Sequence, residues 1–594
     1  DKYPKHRVMQ VSALAAVLIT LGITACYYAG WFWAAFGLTF VLAIQSAFYS
    51  PAKYGYIKEL VGNKNIAAAN GAVQTITIGG ILLGTFVFSA LFEHFLTGVQ
   101  IDSTATVLPP IATIGWVLVA LAIVEFLISL RLQAKTEPQQ QLHFAPQQYF
   151  SGQYLHRNLQ AIRGNSAVWL SIIGLSTFWA VSQVVMATFP AFAKEQLQES
   201  NTLIIQGILA CSGIGIMLGA SIAGRISRRH IETGLIPLGA IGIACALALL
   251  PNLASNWGMA LNFVAIGLFG GLLIIPLNAL IQYSANEREL GTVLAGNNWV
   301  QNIAMLSFLG ITVAAAAAGV SAKWLLGSLT LVSLLGTGYA VYKLPHSLAR
   351  ILVTILLKRR YRIEILGFDK LPSSGPALLL GNHISWIDWA LVQIACPRQI
   401  HFVMQRQIYN RWYLKPFMKL FGIIPIASGA SRGSLKAINE MLLQGEVVCL
   451  FPEGAISRNG HLGKFLAGYE RTIEGVNGVI IPFYLRGLWG SAFSRSSEKL
   501  REIRTTGLKR DLIIAFGDPL PLSTKADALK QKVFELSSNA WDQYTQDLDT
   551  LPNAWIKTAK RESSKNFVAD SEAEPISYRR TLAATLAFSQ VIRK

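Results

Sequence analysis

Up to about residue 345 the chain is a succession of apolar runs of roughly 20 residues, each long enough as a helix to cross a hydrocarbon core of about 30 Å. Ten spans are read, at roughly 8–27, 31–50, 68–92, 108–130, 166–190, 202–224, 231–250, 257–282, 291–316 and 323–342. Beyond them the runs shorten and charges become frequent. Strand-like segments follow: "PALLLGNH", "QIHFVMQ", "FGIIPIA", "EVVCLFPEG", "GVIIPFYLRG" and "DLIIAFGDPL". Helical patterns such as "WIDWALVQIAC" and "SRGSLKAINEMLLQG" lie between several of them. The expected fold is multi-domain, a polytopic α-helical membrane domain followed by an α/β domain with a largely parallel or mixed sheet. Between the two, "HSLARILVTILLKRR" is too short to cross a bilayer and reads as an interfacial helix.

Charge tests the span count, because cytoplasmic loops collect Lys and Arg. With the N-terminus inside, one set of loops holds Lys2, Lys5, Arg7, Lys53, Lys58, Lys64, Arg131, Lys135, Arg157, Arg163, Arg225, Arg228, Arg229 and Arg288, and the other only Lys194 and Lys323. An even number of crossings then returns the C-terminal portion to the cytoplasm, at the inner membrane. Residues 1–345 carry 17 basic and 11 acidic side chains, the rest 34 and 21. A basic cytoplasmic domain tied to a bilayer suits anionic lipid headgroups or an acidic protein partner. No nucleic-acid-binding motif accompanies the charge. Cys26, Cys211, Cys245, Cys396 and Cys449 are scattered without a CxxC and read as buried structural thiols, with neither a disulfide nor a metal expected.

Within the first half, "DKYPKHRVM" resembles the tail of the loop between the second and third helices of the major facilitator superfamily, and "GASIAGRISRRH", residues 219–230, resembles the matching loop of a second repeat. The resemblance implies four spans in the first repeat and six in the second, with the first two of twelve helices missing from this chain. The stretch "YSPAKYGYIKEL", residues 49–60, followed by "AAANG", resembles a loop of the lysophospholipid transporters of that superfamily. The Gln- and Pro-rich segment 133–153 fits a central loop, about 132–165, joining the two repeats. Polar residues in the spans are mostly amides at i,i+4 spacing: Asn297 with Gln301, Asn298 with Asn302, Asn278 with Gln282. These line a cavity or bond helices together. Glu125 is the clearest carboxylate at depth and a candidate for a coupling ion.

In the second half, "GNHISWIDW", residues 381–389, places His383 after a strand end and Asp388 near the start of the next helix, with Ser385 as a candidate N-cap. The turn can bring the carboxylate onto the imidazole, fixing its tautomer and stabilising the imidazolium as His383 takes a proton from an alcohol. The activated hydroxyl attacks an acyl thioester directly, without a covalent intermediate. "FPEG", residues 451–454, follows about 70 residues later, and "GVIIP", residues 478–482, after that. Together these motifs resemble the glycerolipid acyltransferase family, which transfers acyl groups from acyl carrier protein or coenzyme A to glycerophosphate or lysophospholipid hydroxyls. The resemblance covers about residues 346–550. It implies that His383 is the base, that Asp388 orients it, that Glu453 and Gly454 shape the acceptor pocket, and that Arg432, ending "FGIIPIASGASR", is a phosphate ligand.

One departure bears on the acceptor. Phosphatidate-forming members commonly follow "FPEG" with Thr-Arg-Ser, whereas here "AISR" follows and the first Arg is Arg458. An Arg fork suits a phosphate monoester with two charges, so the shift favours a lysophospholipid. Residues 551–594 read as a linker and, through "PISYRRTLAATLAFSQVIRK", resemble the start of an adenylate-forming acyl synthetase domain. The whole, with residues 1–345 as transporter, resembles a fused bacterial system in which a lysophospholipid transporter is joined to 2-acylglycerophosphoethanolamine acyltransferase/acyl carrier protein synthetase, here truncated at both ends. The expected activity is flipping of lysophosphatidylethanolamine to the cytoplasmic leaflet and its reacylation from an acyl-carrier-protein or coenzyme A thioester. No cofactor is expected to be bound; ATP would enter only through the missing synthetase domain. The rival readings are a lysophosphatidate acyltransferase carrying a facilitator domain, and a small-solute carrier with an inactive regulatory domain.

Overall fold

The computed structural model describes residues 3–96, 104–133, 147–148, 151–196, 198, 201–286, 289–426, 432–505, 509–546 and 548–593. The chain divides into two compact units, Asp1–Leu352 and Val353–Lys594.

The first unit is helical. Its elements are α1 (Lys5–Tyr28), α2 (Phe32–Val61), α3 (Ile66–Leu96), α4 (Thr104–Ser129), α5 (Gln153–Arg163), α6 (Ser166–Gln196), α7 (Thr202–Ile226), α8 (Leu235–Leu249), α9 (Asn256–Ser284), α10 (Leu290–Ala317), α11 (Ala322–Lys343) and the start of α12 (Pro345–Arg360). Ten of them, all but α5 and α12, are long and apolar enough to cross a membrane. They coincide with the ten expected spans. The short α5 lies in the expected central loop, of which residues 134–146 and 149–150 fall outside the described residues.

One boundary differs. "YSPAKYGYIKEL" is not a loop, because α2 runs on through it to Val61 with Pro51 inside the helix. Its charged end stays helical because Lys58 and Glu59 both meet partners. Lys5 of α1 pairs with Glu59, and its stem passes so close to Gly55 that a Cβ there would lie 2.6 Å from Cε. The buried Lys58 donates from Nζ to the Ala285 carbonyl at 3.3 Å.

Small residues let the central helices touch backbone to backbone, the usual route to tight association where lipid removes any hydrophobic drive. On α9, a Cβ at Gly267 would sit 1.9 Å from the Ser212 carbonyl oxygen of α7, and one at Gly219 of α7 would sit 2.0 Å from Leu268 O. Backbone cannot rotate aside, so Gly267→Leu is expected to cost about 3 kcal/mol or more. Size-exclusion chromatography after detergent extraction should show the monodisperse fraction largely lost, with Gly267→Ala intermediate; an unchanged profile would contradict this packing. Asn70 of α3 and Gln282 of α9 exchange two amide hydrogen bonds of 3.1 Å, so Gln282 bonds another helix rather than Asn278.

The start of α12 is pinned to the segment between α7 and α8. Arg350 Nη2 donates to Glu232 Oε1 at 2.7 Å, and both side chains are buried. The same carboxylate accepts the Gly234 N–H at 3.1 Å and meets His230 Nε2 at 3.3 Å. Thr233 Oγ1 bonds Ser347 Oγ at 2.8 Å. Although burial pushes the Glu232 carboxyl up, the His230 hydrogen bond and the Arg350 charge outweigh it and hold the pKa at about 2.

The second unit is α/β. An eight-stranded sheet has the order β1-β7-β6-β2-β5-β3-β4, with β8 on β6. The strands are β1 (Tyr361–Leu366), β2 (Ala377–Gly381), β3 (Ile400–Gln405), β4 (Ile424–Ile426), β5 (Val447–Leu450), β6 (Val479–Arg486), β7 (Arg510–Phe516) and β8 (Leu520–Pro521). β6 runs antiparallel to β7 and β8, and every other pairing is parallel. The six expected strand segments are all present, and β1, "YRIEIL", is an addition. β2 is buried along its whole length, as an inner parallel strand should be.

Helices α13 (Asp388–Ala395), α14 (Arg406–Tyr409), α15 (Lys415–Leu420), α16 (Arg432–Leu443), α17 (Glu498–Thr505) and α18 (Ala526–Gln546) accompany the sheet. One core joins Leu378 and Leu380 of β2 to Ile438 and Leu442 of α16 and to Leu529 and Val533 of α18. The C-terminal segment forms α19 (Leu551–Arg561), the antiparallel pair β9 (Asn566–Val568) and β10 (Ile576–Ser577), and α20 (Tyr578–Ile592). Of the five thiols only Cys396 and Cys449 are buried; Cys26 and Cys211 are intermediate and Cys245 exposed. A thiol on the outer face of an apolar helix needs no burial.

Candidate active site

β2 and β5 are parallel neighbours with Leu380 opposite Leu450, so the chain leaves both strands at the same edge of the sheet. "NHISWID" and "FPEG" therefore meet there despite the 70 residues between His383 and Glu453. Gly381 permits the close exit, since a Cβ would lie 2.4 Å from Phe483 O of β6. Asn382 continues the ladder with its side chain, donating to Leu485 O at 3.0 Å and accepting the Leu485 N–H at 2.7 Å.

The next turn holds the acid and the imidazole. Asp388 is 0% exposed, and its Oδ2 lies 2.8 Å from His383 Nδ1. Oδ2 also accepts the N–H groups of Ile384 at 2.6 Å and Ser385 at 2.9 Å, while Oδ1 accepts Ser385 Oγ–H at 2.6 Å. A carboxylate at Nδ1 assigns the proton to that nitrogen and leaves Nε2 as acceptor. Ser385 is not the N-cap, a position taken by Ile387. Its hydroxyl instead accepts the Ile387 N–H at 3.2 Å and braces Asp388, because the acid itself folds back to cap the turn.

The second motif grips His383 through the backbone. Glu453 Oε1 accepts the His383 N–H at 3.1 Å and Oε2 the Gly463 N–H at 3.3 Å, while Ser457 N–H donates to His383 O at 2.8 Å. Burial raises the Glu453 pKa, and these two N–H donors oppose the shift. Gly454 has φ +73°, a left-handed conformation that favours glycine. Phe451 stacks on the imidazole, with centroids 4.1 Å apart and planes at 16°. The His383 side chain stays 21% exposed, so Nε2 remains reachable. Cys449, the nearest thiol on β5, is pushed well above its ordinary pKa by burial, with the charge of Asp388 adding to it, and is a poor nucleophile.

Of the other expected residues, Arg458 is exposed and directly follows Ser457. Arg432 opens α16, but its side chain lies outside the described residues. Asn382, Phe451 and Ser457 belong to the site without having stood out in the sequence, since their roles depend on the neighbouring strands.

In the helical unit Glu125 bonds the Tyr49 side chain of α2 and lies within Coulombic reach of Lys53. Asn297 is buried and accepts Gln301 Nε2 at 2.7 Å within α10. Among the described residues no hydrogen bond or ion pair joins these two places. A largely apolar cavity of ≈ 630 Å³ lies among α6, α7, α8, α9 and α11, lined by Phe178, Ile243, Leu277 and Tyr339 among others, with Lys343 the charged lining residue. Glu125, Asn297 and Gln301 are not among its lining residues.

Comparison with known proteins matches residues 1–309 to the Major Facilitator Superfamily and residues 362–486 to the Acyltransferase family. The lysophospholipid transporter LplT of Klebsiella pneumoniae is 31% identical over 334 residues, covering 54% of this chain and 75% of that protein. Its Yersinia enterocolitica namesake is 28% identical over 318 residues, covering 52% and 71%. Among solved structures, the E. coli fucose:proton symporter FucP aligns with a TM-score of 0.45 at 12% identity, covering 57% of this chain and 84% of that one. The 1-acyl-sn-glycerophosphate acyltransferase PlsC of Thermotoga maritima aligns with a TM-score of 0.28 at 15% identity, covering 36% and 83%.

Proposed function

We propose, from the premise that this multi-pass membrane chain belongs to the major facilitator superfamily and carries an acyltransferase domain, that it moves lysophospholipid to the cytoplasmic leaflet and reacylates it there. The acceptor is lysophosphatidylethanolamine, and the donor is the thioester of acyl carrier protein or coenzyme A. The observation that carries the reading is the 2.8 Å contact between His383 Nδ1 and a fully buried Asp388, on the same chain as a lysophospholipid-transporter-like domain.

In this mechanism Nε2 takes the proton of the glycerol hydroxyl as its oxygen attacks the thioester carbonyl. Asp388 holds the ring and stabilises the imidazolium. The C–S bond breaks, an ester forms, and the departing thiolate receives the proton from Nε2. The basic excess of residues 346–594, 34 cationic against 21 acidic side chains, suits an anionic bilayer and an acidic carrier protein. The apolar cavity with a single lining cation suits an acyl chain and the phosphodiester of a zwitterionic headgroup better than a sugar. Concentration of Lys and Arg on one set of loops supports an inner-membrane orientation with the acyltransferase facing the cytoplasm. Joining the two activities raises the local concentration of acceptor.

The test is lipid mass spectrometry of membranes containing the purified chain, given lysophosphatidylethanolamine and acyl-carrier-protein thioester. Phosphatidylethanolamine is expected to accumulate at least tenfold faster than phosphatidate forms from lysophosphatidate. Faster phosphatidate formation would replace this reading with its rival, and absence of either product would remove the enzyme.

A further inference from the structure

The loop after β6 forms the other flank of the catalytic turn. Gly487 and Gly490, with φ of +103° and +81°, turn the chain back, and buried Ser491, Ser494 and Ser496 bind the loop to itself. Ser494 Oγ accepts the Gly490 N–H at 3.1 Å, donates to Ser491 O at 2.8 Å and lies 3.0 Å from Ser496 Oγ. The folded loop pairs with the catalytic turn: Ser494 bridges Ser385, and Phe493 O accepts the Trp386 N–H at 3.0 Å. Arg495 follows. It is exposed, and its guanidinium carbon lies 5.6 Å from the centre of the Trp386 ring. No carboxylate pairs with it among the described residues. On the opposite flank, the position two after Gly454 is Ile456, 4% exposed, and cannot present a cation.

We propose that Arg495 binds the phosphodiester of the acceptor headgroup and so sets the preference for lysophospholipids over uncharged acceptors. The inference rests on reading the domain as a lysophospholipid acyltransferase. A guanidinium held over an indole loses little freedom on binding and keeps its N–H edge free for a two-oxygen fork. Its anchor, Trp386, lies between His383 and Asp388 in sequence, so the cation is fixed to the turn that carries the base rather than to a separate wall.

The experiment reads His383 itself. The purified full chain is treated with diethyl pyrocarbonate, and carbethoxylation of His383 is quantified by peptide mass spectrometry against added lysophosphatidylethanolamine or monoacylglycerol. Arg495→Ala is expected to need about tenfold to a hundredfold more lysophosphatidylethanolamine for half-protection than the unmutated chain, the range for a charge-assisted hydrogen bond. Monoacylglycerol should protect both alike, and the rate without ligand should not change. Equal protection by lysophosphatidylethanolamine, parallel weakening for both acceptors or an altered ligand-free rate would each overturn the assignment. Because protection needs no turnover, a chain that forms no product refutes the acyl-transfer reading while Arg495 can still be judged.

Discussion

His383→Ala is expected to lower acyl transfer about 10²–10⁴-fold, the range contributed by a positioned general base. The loss should be chemical rather than structural. The backbone N–H and C=O of His383 keep their bonds to Glu453 and Ser457, and three donors other than the imidazole still converge on Asp388. Asp388→Asn is expected to fall in the same range. Its oxygen can occupy the place of Oδ2, while the new amide group faces a Ser385 hydroxyl that can rotate to accept. What disappears is the charge that stabilises the imidazolium. Since the two residues act as one unit, the double variant should be no slower than His383→Ala alone. Initial rates of phospholipid formation, normalised to folded protein, test both statements. A His383→Ala rate within tenfold of the unmutated chain would refute general-base catalysis here, and multiplicative losses would refute the pairing.

Glu232→Ala should produce the largest loss of stability in the helical unit. The buried Arg350 would then lose the carboxylate that faces it at 2.7 Å, a loss that costs about 3–5 kcal/mol when one partner of a buried ion pair is removed. Removing Arg350 as well should recover part of the loss. The sign of the pH dependence follows from the depressed carboxyl. Its pKa is 4.5 ordinarily and about 2 in the fold, so the stabilisation is complete above about pH 5 and disappears as pH falls toward 2. Thermal midpoints in detergent should differ most between the unmutated chain and Glu232→Ala near neutrality, with the difference narrowing below about pH 5 and closing as pH approaches 2. A difference that is constant or widens on acidification would mean that the charge of Glu232 is not what stabilises the fold.

The membrane spans were legible because bilayer thickness imposes run length, which survives without knowledge of neighbours. Helix ends were less so. α2 outlasts its apolar run because Lys5, Glu59 and Lys58 find partners on other helices, and no local pattern records that. The strands of the soluble unit read clearly where both faces are buried. β1, an edge strand carrying Arg362 and Glu364 directly after the basic end of α12, did not. In the site, the His383 and Asp388 pair was readable because both residues lie within one turn. The hold of Glu453 on the His383 N–H needs the adjacency of β2 and β5. The Arg495 flank left less trace still, since a Gly- and Ser-rich stretch reads only as a loop until its bridge to Ser385 is seen.

Asp388 has two employers. It aligns the ring, and its oxygens close the very bend on which that ring is mounted. Mutational drift has little room at this acid, since a residue that cannot accept from Ile384 and Ser385 also reshapes the scaffold beneath the ring, and Asn, which can, gives up the charge. Tuning among descendants of such a gene would have to accumulate along the flanking loops, where acceptor choice can alter while the proton-transfer apparatus stays as it is.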